Sequence, residues 1–586
     1  MRSAAPRALS VPMLALLAAL GVGLFARNFW TPDEPREADL AWRMSLQVDK
    51  AVPLLAGVAY CEKPPLTYWV AGAALSALGL HPWAARLPNL LYAVLSALAV
   101  GALARRALGA GAALVAAAAM ASFLLSYQVA IWLATDAPLV AFDALALLGL
   151  WMGYRADTSR ARLGGYALMH AALALGFLAK NAAAWMVPAL TLLTLCAWEK
   201  RWRELARIEL YAPFLLQLAV ILPWVFSVYR APDGLADLKV FFWNNLAGRF
   251  THIDAPAAID YTSGHHNSPG KYFIELPMYL FPWTLLVIGA LRRAWQMRGE
   301  GERAGLPAVR FALASTLPAM LVLSLAATAR NIYLAPALPG FALLLAWWWS
   351  HGAAIDRADT WLVRATQALL AVTALAFAGS ALLVLHGPGL IAALAGIATA
   401  GALLARAARS RFDGALACML LAWCVLLTLP AGALYAEVDR WQALDQIGRD
   451  VARDAAGRPL ILLAPDETTL AFVDLYARPA GVQSPTAVRP DTAAAANGFQ
   501  IIESPLDAGA LRRLDALLAR EPTARVLVQV PGRVLEPALA ALARRLGRAE
   551  PAPGVPLWMV DAHLTVRARY GLPNGRRYAL LGPGRA

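Results

Sequence analysis

Two short runs hold the residues most able to do chemistry. Thr31–Asp39 reads Thr-Pro-Asp-Glu-Pro-Arg-Glu-Ala-Asp, and Tyr60–Pro65 reads Tyr-Cys-Glu-Lys-Pro-Pro. The first sets Asp33, Glu34, Arg36, Glu37 and Asp39 directly after an apolar segment; the second sets Glu62 and Lys63 just before another. Ionisable groups are costly at a membrane boundary, and this density there marks a site. Pro64 and Pro65 fix the backbone after Lys63 and stop a helix continuing backwards. A rigidly mounted carboxylate and ammonium suit a phosphate or a metal, with Lys63 as a point charge on phosphate. The plainer alternative is a polar turn before an interfacial helix. Thr31–Asp39 has its own plain alternative: Thr31 as N-cap, Pro32 as first helical residue and Glu34 as the return partner of a capping box. Arg36 with Asp39, and Asp39 with Arg43, would then pair along one helix face.

Other candidates follow downstream. Asp136 opens one apolar segment and Lys180 ends another; a carboxylate favoured by the helix dipole and a snorkelling lysine are their plain readings. Asp143 lies deeper in its helix and could pair with a basic residue in the bundle. The loop 229–271 carries Asn244-Asn245 and, further on, His265-His266-Asn267. With Glu62 these histidines could form an oxygen/nitrogen metal site. Arg330-Asn331-Ile332-Tyr333 opens a later apolar segment. Arg330 and Tyr333 could hold an anionic headgroup, the arginine through forked hydrogen bonds; the alternative is an interfacial anchor pair.

The elements that must position these residues are transmembrane helices. Of 586 residues, 60% are hydrophobic and 15% charged, which is too apolar for a soluble chain of this length. Apolar stretches long enough to span about 30 Å of hydrocarbon recur through residue 435. The net charge of +14 comes from arginines in short loops between those stretches. That is the pattern of cytoplasmic loops rather than of a nucleic-acid surface, and no nucleic-acid partner is expected. The four cysteines are scattered, with no disulfide framework or zinc spacing. Arg2 and Arg7 before an apolar stretch place the first helix with its N-terminus inside, as an uncleaved span rather than a signal peptide. Basic clusters then pair the helices 86–104, 111–131, 136–154, 164–180, 183–198, 208–228, 272–291, 308–328, 331–350, 361–385, 389–405 and 413–435. With the first helix this predicts about thirteen spans. Residues 65–80 are too short for a span without inverting everything downstream, and are expected as an interfacial or re-entrant helix. The fold class is therefore mainly α: a polytopic helical bundle over 1–435, including outer loops 28–85 and 229–271, followed by a small α/β domain over 436–586. In that tail, strands are expected at Pro459–Pro465, Phe499–Glu503, Arg525–Pro531 and Pro556–Val560. Helices are expected over Trp441–Ala455 and Glu467–Ala477 and near 507–520 and 533–546.

Taken in order, these motifs resemble the integral-membrane glycosyltransferases of the protein O-mannosyltransferase and aminoarabinose transferase superfamily. The resemblance rests on Asp33-Glu34-Pro35-Arg36, Glu62-Lys63-Pro64-Pro65, Trp83-Ala84-Ala85-Arg86-Leu87-Pro88, Thr135-Asp136-Ala137-Pro138 and Leu178-Ala179-Lys180. It continues through His265-His266, Leu280-Phe281-Pro282-Trp283 and Arg330–Pro339, covering roughly residues 10–350. It implies a GT-C type bundle in the bacterial inner membrane, monomeric, with its active face and its C-terminal domain periplasmic. The donor would be a sugar on undecaprenyl phosphate and the acceptor a lipid, such as lipid A, or a protein. Asp33 would be catalytic, with Glu34 and Asp136 as further catalytic carboxylates. Lys63, Arg330, Tyr333 and Arg36 would bind the lipid phosphate, and Glu62 and His266 a divalent metal ion. Two departures stand out: Lys180-Asn181-Ala182 where the family often has Lys-Gly-Pro, and Glu37 where it often has an aromatic. The rival class is a transporter or flippase of a lipid-linked substrate. It predicts repeated halves and polar residues at the membrane midplane; only Asp143 favours it.

Overall fold

The computed structural model describes residues 5–245, 268–300, 305–326, 330–352, 356–477, 499–504, 506–531, 555 and 564–583. The chain divides into two compact units: Met1–Ala26 with Cys61–Thr67 and Arg86–Tyr435, and Arg27–Tyr60 with Tyr68–Ala85 and Ala436–Ala586.

The first unit is helical, and every segment expected as a span contains helix. Among the described residues nine helices are long and apolar enough to cross a membrane, or eleven if each of two bent pairs is one span. The shorter apolar helices Leu9–Phe25 and Ala183–Trp198 occupy the remaining two of the thirteen expected segments. The bent pairs are Ala110–Ser122 with Leu124–Ile131, turned by 65°, and Lys271–Tyr279 with Thr284–Gln296, turned by 112°. A break at membrane depth frees backbone groups that must find partners. Here the two breaks serve each other: Leu124 N donates to Phe281 O at 2.8 Å, and Trp283 Nε1 to Ser122 Oγ at 2.7 Å. The buried Arg86 donates to Leu24 O at 3.2 Å, near the end of helix Ala5–Phe25; basic side chains suit the carbonyls of a helix C-terminus.

The helix hairpin Asp136–Tyr154 and Ser159–Lys180 matters most for the site. Its helices touch through glycine: a Cβ on Gly165 would lie 2.2 Å from Gly153 N, and one on Gly149 2.4 Å from Met169 N. Small residues allow this close approach inside a membrane bundle. An antiparallel hairpin returns its last residue beside its first, so Lys180 meets Asp136. Asp143 sits in the same hairpin, fully buried, and neither of its carboxylate oxygens has a hydrogen-bond partner. The basic partner envisaged for it is not present among the described residues.

The second unit contains a short antiparallel pair, β1 (Leu54–Leu55) and β2 (Val58–Ala59), and a five-stranded sheet. The sheet strands are β3 (Leu460–Leu463), β4 (Phe499–Ile502), β5 (Arg525–Val530), β6 (Leu564–Gly571) and β7 (Arg577–Pro583), in the order β4-β3-β5-β7-β6. Strands β4, β3 and β5 are parallel, and β7 and β6 add antiparallel at one side. Helices Leu444–Ala455, Glu467–Tyr476 and Ala508–Arg520 fall where the periodicity places them. The hairpin β6–β7 departs from the expectation, because its charged and exposed β6 lacks an apolar run. The strand expected at Pro556–Val560 and the helix near 533–546 lie outside the described residues. Helix Leu66–Leu78 has thirteen residues, about 20 Å at 1.5 Å per residue, and so is too short to cross a membrane.

Candidate active site

The first unit holds a cavity of about 320 Å³ lined by Glu62, Lys63, Lys180, Asn181, Asn245 and Tyr333. Leu139, Met186, Val322, Leu323 and Pro336 give it an apolar wall. Small-molecule sites typically combine such walls with a few convergent polar groups. Lys180 forms an ion pair with the buried Asp136 and its Nζ stands 4.3 Å from the centre of the Tyr333 ring. Carboxylate and ring face together hold that ammonium at the cavity edge. Tyr333 is placed by a 3-10 turn, Asn331–Ala337, which follows Arg330. Arg330 is exposed, and its carbonyl accepts a 2.5 Å hydrogen bond from Tyr272 Oη.

The structure therefore gathers Glu62, Lys63 and Tyr333 around one cavity, with Asp136 attached through Lys180. Lys180 is the residue that sequence reasoning undervalues. Its signal is present but indirect: it ends the helix that pairs with the one Asp136 begins. His266 lies outside the described residues. Among those described, no group of three His, Cys, Asp or Glu side chains could hold a metal ion. One carboxylate beside two ammonium groups is not a metal's donor set, so the described residues do not fit the metal ion that the resemblance implies.

The other predicted residues belong to the second unit. Helix Glu34–Leu46 starts later than the capping reading has it: the N-cap is Asp33, its side chain makes no capping bond, and Pro35 takes the proline position. Thr31 is therefore not the cap; its hydroxyl donates to Gln442 Oε1 at 2.6 Å. Glu34 reaches back one residue further than that reading has it, accepting from Trp30 N at 2.9 Å and not from Thr31 N, which donates to Gln442, and it forms a buried two-pronged pair with Arg27. Arg36 stands among three carboxylates, Asp33 at 3.3 Å, Glu37 at 2.8 Å and Glu467 at 2.5 Å. Tyr68 Oη in turn donates to Glu37 at 2.9 Å. Glu467 is the partner invisible in sequence, lying 431 positions from Arg36.

One turn further, Asp39 Oδ2 accepts from Ala56 N at 2.6 Å, in the β1–β2 turn. Burial first, and then the neighbouring Asp474, push the Asp39 carboxyl well above the usual range. A carboxyl raised on folding keeps its proton in the folded chain where the unfolded chain has lost it. Stability then falls as pH climbs from the ordinary carboxylate range towards the raised value. Asp39→Asn keeps an acceptor for Ala56 N without the buried charge. It is expected to raise the unfolding midpoint at neutral pH and to flatten the acid side of the stability profile. Identical midpoint-versus-pH curves for the two proteins would refute this.

Comparison with known proteins extends this picture. Residues 62–226 match the family model described as dolichyl-phosphate-mannose-protein mannosyltransferase. The chain is 31% identical, over 62% of its length, to an undecaprenyl phosphate-alpha-4-amino-4-deoxy-L-arabinose arabinosyl transferase of Pseudomonas paraeruginosa, and 33% identical over 56% to that of Pseudomonas aeruginosa. The matches span 64% and 58% of those relatives, less than two thirds of their length. In structure the chain is similar to ArnT from Cupriavidus metallidurans bound to undecaprenyl phosphate: TM-score 0.71, 19% identity, 98% of each chain covered. The same protein in its apo state gives a TM-score of 0.69 at 20% identity, with 99% of this chain and 98% of that one covered. The helical bundle with a small C-terminal sheet is thus a shared fold, and the resemblance read from the motifs is borne out.

Proposed function

We propose that this chain is a glycosyltransferase. It moves one sugar from undecaprenyl phosphate to a lipid acceptor of the lipid A type at the outer face of the bacterial inner membrane. The cavity carrying Lys63, Lys180 and Tyr333 is the observation that supports this most. Two ammonium groups and a phenol beside an apolar wall complement a phosphate with a hydrocarbon tail. The names of the matched relatives favour transfer over transport.

In the reaction a lone pair on the acceptor oxygen attacks the anomeric carbon. The bond from that carbon to the phosphate oxygen breaks, and its electron pair stays on the polyprenyl phosphate. Negative charge grows on that phosphate, and Lys63 stabilises it where it develops, with Arg330 and Tyr333 as further donors. Asp136 holds the Lys180 ammonium in place. Asp33 takes the proton of an acceptor hydroxyl as general base. Where the acceptor is already an anion, Asp33 orients it or stabilises the oxocarbenium-like sugar. Arg36 holds the Asp33 carboxylate, and Glu34 secures the turn before it. A single displacement inverts the anomeric carbon.

The test is transfer of a radiolabelled sugar from its undecaprenyl-phosphate carrier by the purified chain in vesicles, with lipid A and membrane protein offered as acceptors. Labelled lipid A with inverted anomeric configuration is expected. Label on protein alone would replace the acceptor in this reading. Movement of the intact lipid-linked sugar across the bilayer without transfer would establish the transporter instead.

A further inference from the structure

The cavity has two polar lips that come from distant parts of the chain, Glu62–Lys63 and Lys180–Asn181. Both are bonded to one short segment. That segment runs through helix Gly234–Lys239 into a π-helical turn, Val240–Asn244, and on to Asn245. Single π turns are rare and gather at functional sites.

On one lip, the Asn245 side-chain amide donates to the Glu62 carbonyl. The Cys61 thiol is hydrogen-bonded to the Asp237 carboxylate. On the other lip, Asn181 Nδ2 donates to Phe241 O at 2.5 Å. Asn181 does this from an unusual backbone, with φ 61° and ψ −154°. That corner of conformational space is nearly reserved for glycine and costs other residues about 1–3 kcal/mol. A side chain there needs a compensating return. Asn181 has one inside its own turn, where Oδ1 accepts from Ala182 N at 2.6 Å, and the bond to Phe241 is another.

We propose that Gly234–Asn245 is a clasp fixing the separation of the Lys63 and Lys180 lips, with Asn181 and Asn245 as its two positioning residues. The clasp rests on the reading that a polyprenyl phosphate occupies this cavity. Its role follows from the phosphate's size: two ammonium groups on separate lips serve one phosphate only at a fixed spacing. Asp136 holds the Lys180 ammonium against its own helix hairpin, and Tyr333 holds it against the turn that follows Arg330. The asparagine bonds run from each lip to the one shared segment.

Asn181→Gly separates positioning from folding, because glycine adopts this backbone without strain. Its unfolding midpoint is expected to equal or exceed that of the wild type. Its kcat/KM for sugar transfer, and its affinity for undecaprenyl phosphate alone, are expected to fall by about tenfold to a hundredfold, as for misplacement of a catalytic group by about an ångström. Asn245→Ala is expected to act in the same direction. The double variant is expected to be little worse than the more harmful single one, because both release the same segment. Wild-type kcat/KM and affinity in Asn181→Gly, or losses that multiply in the double variant, would overturn the clasp. Wild-type protein that transfers no sugar would overturn the proposed reaction instead, and the clasp is then judged on undecaprenyl-phosphate binding alone.

Discussion

Lys63→Ala is expected to lower the rate of sugar transfer by about two to three orders of magnitude, the scale of losing one donor aimed at developing charge in a water-poor site. The phosphate gains charge only as the glycosidic bond breaks, so the loss should appear in kcat as well as in kcat/KM. Lys63 is half-buried at the cavity wall, so trimming it widens an existing space rather than opening a void in the core. The unfolding midpoint should therefore stay near that of the wild type. Lys63→Arg keeps the charge but changes a compact ammonium into a planar fork, and should recover only part of the rate. Initial rates with a radiolabelled donor decide the matter. A Lys63→Ala enzyme within tenfold of wild type would remove Lys63 from the reaction.

Arg43→Ala is expected to destabilise the second unit by about 3–5 kcal/mol, the cost of leaving a buried charge unpaired. Arg43 Nε and Nη2 each meet an Asp474 oxygen at 2.6 Å, with side-chain exposures of 1% and 0% for the two residues. Removing the guanidinium leaves Asp474 next to Asp39, two carboxylates in a space that solvates neither. Acid should relieve the defect by protonating them, so the gap to wild type should narrow as pH falls. Arg43→Met with Asp474→Leu removes both charges and should lose much less than Arg43→Ala. Thermal unfolding of the full chain in detergent across a pH series measures all three. A midpoint for Arg43→Ala equal to the wild type at neutral pH would show that the pair contributes nothing.

Much of the architecture is legible in the amino-acid sequence. Each of the thirteen apolar segments contains helix, since burying twenty apolar residues in lipid depends on their sum and not on their neighbours. Helices Leu444–Ala455 and Glu467–Tyr476 and strand β3 carry their own local signals of period and apolar run. The hairpin β6–β7 does not, because its partner strands, not its composition, hold it in the sheet. At the site, Glu62, Lys63 and Tyr333 are readable as polar groups at the ends of apolar segments, and the fold places all three on one cavity.

Pairings are where such reading stops. Arg36 reads locally as a partner for Asp39, yet its contacts are Asp33, Glu37 and the remote Glu467; Arg43 takes Asp474 in the same way. Lys180 reads as a snorkelling lysine until the glycine-tight hairpin returns it to Asp136, 44 positions earlier. Asn181 reads as a mere departure from a glycine until its backbone angles and its bond to Phe241 are known. The apolar segments and the residue types at their ends can be read directly from the order of amino acids, because hydrophobic burial is additive along a chain. Which charges meet is visible only once the chain is folded, because an ion pair or hydrogen bond depends on ångström distances that close packing of distant helices sets.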